Sequence, residues 1–144
     1  MKKGFTLIEL LVVIAIIGLL TSIILVQVGP ARGKARDSKR EQDFSQIYQA
    51  MELCKMDEDC GAGEDEYPNT NIFGTPNPIS EYISEVPSGT GTINYIWENN
   101  SALDPADEYC IHTTLEESNY TYLCVSGRGV NKNDTAPALG ACCY

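Results

Sequence analysis

From Phe5 to Val28 the chain runs 24 residues with one formal charge, Glu9. The stretch from Leu10 to Leu20 has no polar face at helical spacing. As a helix the whole run would reach about 36 Å, enough to cross a hydrocarbon layer of about 30 Å. A helix apolar all round is either a membrane span or the centre of something large. The polar remainder is too small to enclose it, so burial in lipid or in an assembly is expected. A cleaved secretory signal would have an apolar region of about 7–15 residues. This run is longer, and Gln27-Val28-Gly29-Pro30 is a poor exit from such a signal. An ordinary single-span anchor stays open.

Gly29 and Pro30 then interrupt the helical signal. Proline removes a backbone donor and crowds the preceding turn, which predicts a kink or local melting. Beyond them Phe44, Ile47, Met51 and Cys54 recur at spacings of three, four and three, with Tyr48 alongside. That is one apolar helix face. The opposite face is charged, open to solvent or free to pair with neighbouring subunits or lipid headgroups. Residues 57–91, rich in acidic residues, Gly and Pro, read as a long connection. A short helix is expected at 79–85, stopped by Pro87.

Strands are predicted at 92–98, 109–115 and 120–125, the last two as a hairpin about a Glu116-Glu117-Ser118 turn. Pairing Leu115 with Asn119 sets Ile111 opposite Leu123 and Tyr109 opposite Val125 on one apolar face. It also sets Cys110 opposite Cys124 on the other. The predicted fold is α+β: a long N-terminal helix whose second half covers a three-stranded antiparallel meander.

Charge is uneven. Residues 1–40 carry a net +5 and residues 41–144 a net −15, within a total of −10. The acidic body disfavours a general nucleic-acid surface. With His112 as the only imidazole, no nucleophile–base pair is evident and no enzyme is expected. His112 itself is expected at the surface or on a hairpin face. Asp57, Asp59, Glu64 and Asp65 could offer oxygens to calcium. Starting the EF-hand pattern at Asp57, however, puts Pro68 where its bidentate Glu belongs. Neither a metal nor a cofactor is expected. The six cysteines, 54, 60, 110, 124, 142 and 143, allow fifteen pairings in an exported body. Cys110–Cys124 and Cys54–Cys60 are the candidates, leaving Cys142 and Cys143 to tie the tail elsewhere.

The opening residues Lys2-Lys3-Gly4-Phe5-Thr6-Leu7-Ile8-Glu9-Leu10, followed by the Val/Ile/Leu helix, resemble the leader of type IV pilins and type II secretion pseudopilins. Residues 35–53 and the Tyr67-Pro68 pair resemble those families too, with Cys54 where pseudopilins usually carry Tyr. The resemblance implies a leader at 1–4, a long helix at 5–56 and a small disulfide-containing body at 57–144. Residues 5–28 of that helix would lie in the membrane or the filament core. It implies cleavage by a prepilin peptidase between Gly4 and Phe5 and N-methylation of Phe5. Glu9 would meet the terminal amine of a neighbouring subunit, and Gly29-Pro30 would let the helix yield in the filament. Implied partners are identical or homologous subunits, the peptidase, an inner-membrane platform with its ATPase, and lipid before assembly. The body would lie outside the cytoplasm, although a count of Lys and Arg on both flanks favours the opposite orientation. A pilus subunit is the first expectation. A pseudopilin of a secretion or DNA-uptake machine and an anchored, non-polymerising binding domain are the alternatives.

Overall fold

The computed structural model describes residues 4–60, 65–68, 70–90, 93–98, 109–137 and 142. One helix, α1 (Leu7–Lys55), supplies both the apolar rod and the cover of the body. Thr6 caps its start, and after Met56 the chain turns back. The Cys54–Cys60 disulfide closes that turn.

Six strands follow: β1 (Gly89–Thr90), β2 (Ile93–Asn94), β3 (Ile96–Glu98), β4 (Cys110–Thr114), β5 (Tyr122–Ser126) and β6 (Gly129–Asn133). β1 and β2 form a small antiparallel pair. The main sheet is antiparallel in the order β3-β4-β5-β6. Phe44, Ile47, Met51 and Cys54 of α1 are fully buried, as their spacing predicts, in one core with Ile111, Leu123 and Val125 of the sheet and Tyr109 just before β4. Ile72 and Ile79 from the connection complete this core.

The structure corrects four expectations. First, the strand at 92–98 breaks at Tyr95, while Thr92 lies outside the described residues. Tyr95 turns inward, its hydroxyl donating to Asp43 of α1 at 2.7 Å and its ring lying edge-on to Phe44. Second, the segment at 79–85 makes one turn, with the Ile83 amide donating to the Ile79 carbonyl, and no helix. A run this short does not repay helix nucleation. It is held instead by buried Ile79 and by Asn77, which accepts from the Ile79 amide.

Third, the sheet has a fourth strand, β6. Gly129-Val-Asn-Lys-Asn133 lacks the alternation that marks a half-buried strand; polar composition of this kind suits an edge. Gly127, in the turn before it, has Tyr67 against its Cα, where a side chain would meet the ring at 2.9 Å.

Fourth, the hairpin register differs. Ile111 pairs with Val125 and Thr113 with Leu123. The apolar face survives because a shift of two residues keeps strand parity, but Cys110 no longer opposes Cys124. The connection is longer than a three-residue turn, closed by the Leu115 amide donating to the Thr121 carbonyl. Cys110 is bonded to Cys142 instead, and Cys124 is itself disulfide-bonded. These cysteines form a second small buried cluster on the outer face of the sheet. Cys143 lies outside the described residues. Both faces of the hairpin are therefore covered.

Candidate assembly site

The first half of α1 is built for contact with something absent from the single chain. The large apolar side chains from Phe5 to Val26 are all about half exposed or more, from Phe5 at 85% to Val13 at 48%. The polar groups within it turn back on the helix. The Thr21 hydroxyl donates to the Ile17 carbonyl and the Ser22 hydroxyl to the Leu19 carbonyl. Such bonding satisfies the hydroxyls without water.

At the tip Thr6 and Glu9 form a reciprocal capping box. The Glu9 amide donates to Thr6 Oγ1 at 3.3 Å. The Thr6 amide and hydroxyl both donate to Glu9 Oε2 at 2.8 Å. This partner was legible in the sequence as Thr-x-x-Glu ahead of an apolar run. Two physical effects thus hold a carboxylate here: local donors, and the partial positive charge of the helix start. Both hydrogen bonds fall on Oε2, so Oε1 can accept from a further cation. Gly4 and Phe5 precede the helix, outside any regular element. Gly29 and Pro30 lie inside the unbroken helix, where the sequence predicts a kink or melting. Pro30 brings no N–H to the carbonyl of Val26.

The collar that follows is not a plain solvated face. Gly33, Asp37, Arg40 and Asp43 are buried on the side of α1 that meets the sheet. Arg40 is fully enclosed and pairs with Asp37 and with Glu116 of the β4–β5 loop. Arg36 also pairs with Glu116. Asp37 accepts from the Glu116 amide at 3.0 Å and the Glu117 amide at 2.8 Å. The two arginines pull the Glu116 carboxyl down to about 2 from its ordinary 4.5. Lys132 of β6 reaches Glu41 at 2.7 Å. At Gly33 a side chain would meet Glu117 Cγ at 2.2 Å, so the loop rests on the bare backbone there. A buried ion network of this kind adds orientation more surely than stability. It fixes the body on the helix just beyond the apolar run.

Asp57 accepts from the Tyr82 hydroxyl and from the Asp59 amide. That hydrogen bond lowers Asp57 and raises the Tyr82 phenol to about 12. Among the described residues no three metal-binding side chains converge; Glu64 lies outside them. His112 is buried rather than at the surface, its Nε2 3.1 Å from Glu98 on the outer face of the hairpin.

Comparison with known proteins bears first on the tip. Residues 1–25 match the prokaryotic N-terminal methylation motif. The chain is similar to a type IV major fimbrial protein, FimA, of Dichelobacter nodosus. It is 29% identical over 97 residues, covering 65% of this chain and 61% of that one. Core protein G of the type II secretion system of Escherichia coli (strain K12) is 34% identical over 70 residues, covering 49% and 44%. Another FimA of D. nodosus is 37% identical over 67 residues, covering 44% and 43%. The matches thus span less than two thirds of each relative. No solved structure gives a significant match.

Proposed function

We propose that this chain is a structural subunit of a type IV pilus-like filament. The observation that carries it is the coincidence of the methylation motif with a helix half that no part of the body covers. Before assembly residues 5–28 cross the membrane once, with the body outside the cytoplasm. The peptidase cuts between Gly4 and Phe5 and methylates Phe5. In the filament the rods bundle and the acidic bodies tile the outside, with Gly29-Pro30 the weak point where the helix yields. Glu9 then exchanges part of its Thr6 bonding for the terminal amine of a neighbour. Two opposite charges in a low-dielectric bundle attract strongly and offset each other's desolvation. The platform and ATPase are the machinery such a subunit requires; no catalytic role is assigned to the chain itself.

The similarity to a type II secretion core protein supports a second reading, a pseudopilin in a short periplasmic filament. Electron microscopy of sheared cell-surface material, with mass spectrometry of its N-termini, tests both. Surface filaments containing this chain, starting at N-methylated Phe5, are expected. Processed chain confined to the cell envelope would favour the pseudopilin. Unprocessed, solitary chain would exclude both.

A further inference from the structure

The collar cations have been sorted by the fold. Arg36 and Arg40 are held by Glu116 and Asp37, and Lys39 lies 3.4 Å from Asp43. Arg32 and Lys34 are exposed and have no acidic partner among the described residues. They flank Gly33, where the body's loop first touches the helix. They also stand four and six residues past Val28, about 6 and 9 Å along the axis. Each headgroup layer is about 5–8 Å deep. Arg32 therefore emerges within that layer and Lys34 at its outer edge, within side-chain reach of lipid phosphates, between the apolar rod and an acidic body that an anionic surface would repel.

We propose that Arg32 and Lys34 are an anionic-phospholipid contact that seats the unassembled subunit on the membrane surface. This rests on the membrane-held subunit proposed above. Lipid is the favoured occupant because of depth: these two cations sit next to the apolar run, whereas those higher on the helix already have partners within the chain. A juxtamembrane cation near an anionic leaflet is attracted over about one Debye length.

The test uses the full chain reconstituted in vesicles of equal parts phosphatidylcholine and phosphatidylglycerol. Spin-labelled lipids report which headgroup is immobilised at the protein. Preference for phosphatidylglycerol is expected, falling roughly five-fold for each cation removed in Arg32→Gln and Lys34→Gln. It should also fall with added salt. Arg36→Gln should keep the preference, since its guanidinium is engaged by Glu116. Lys2 and Lys3 supply the same background in every variant. Unchanged preference in the Arg32→Gln/Lys34→Gln double variant would overturn the inference while leaving the filament reading intact. So would an equal loss in Arg36→Gln, or loss of self-association without loss of lipid preference, which would mark a second copy as the partner. Failure of the wild-type chain to float with the vesicles would overturn the membrane-held reading as well.

Discussion

The two halves of α1 invert the usual relation between polarity and burial. Residues 7–27 are almost wholly apolar and lie bare; residues 33–55 include Asp37, Arg40 and Asp43, and bury them. Apolar surface left exposed on this scale marks a contact yet to be made. Buried charge marks a contact already made within the chain, because an unpaired charge there is too costly to keep. The same helix thus carries an open apolar surface at one end and an intramolecular clamp at the other.

Each half can be broken separately. The largest effect is expected at the tip: Glu9→Ala should abolish filaments while flotation with membranes is unchanged, read by shearing assays beside vesicle flotation. Normal filament yield would remove Glu9 from the assembly site. In the clamp, Asp37→Ala takes one of the two acidic partners from buried Arg40 and the acceptor from two loop amides. A loss of about 3–5 kcal/mol is expected on denaturation of the detergent-solubilised chain, with no effect on membrane insertion. Asp37→Asn should lose less, since its carbonyl still accepts from the loop.

Removing the Cys110–Cys142 bond, whose ends are 32 residues apart, should cost about 3–4 kcal/mol on the loop-entropy account. Cys110→Ser/Cys142→Ser measured by the same denaturation gives that figure. A change below about 1 kcal/mol would mean that the reduced chain is already ordered. Tyr95→Phe removes one hydrogen bond to a carboxylate and should cost about 1.5 kcal/mol. The smallest effect concerns pH. Glu116 is depressed in the folded chain, so its contribution is fully present above its ordinary 4.5 and is lost as pH falls toward about 2. Glu116→Gln should flatten that acid limb of the stability curve. The effect is modest because Arg36 and Glu116 are partly open to water.

Much of the molecule was legible in the chain. The rod follows from the uninterrupted apolar run, and the helix face of Phe44, Ile47, Met51 and Cys54 from its spacing. The apolar face of Ile111, Leu123 and Val125 follows from alternation. These are local periodicities, and burial of one face is the only way the chain can satisfy them. The Thr6–Glu9 box was legible too, although the apolar run beside it draws attention away from Thr6.

Tertiary structure alone decided the rest. The hairpin register goes with a loop longer than a tight turn, whose Glu116 and Glu117 amides donate to Asp37, about eighty residues away in sequence. That shift in turn separated Cys110 from Cys124 and left Cys142 as its partner. β6 pairs because β5 offers an edge, a backbone requirement that its polar side chains do not announce. The sequence by itself determined which surfaces must be buried, since hydrophobicity is a property of each residue. Which charges and cysteines meet depended on where the folded backbone brought them, since ion pairs and disulfides act only over a few ångströms.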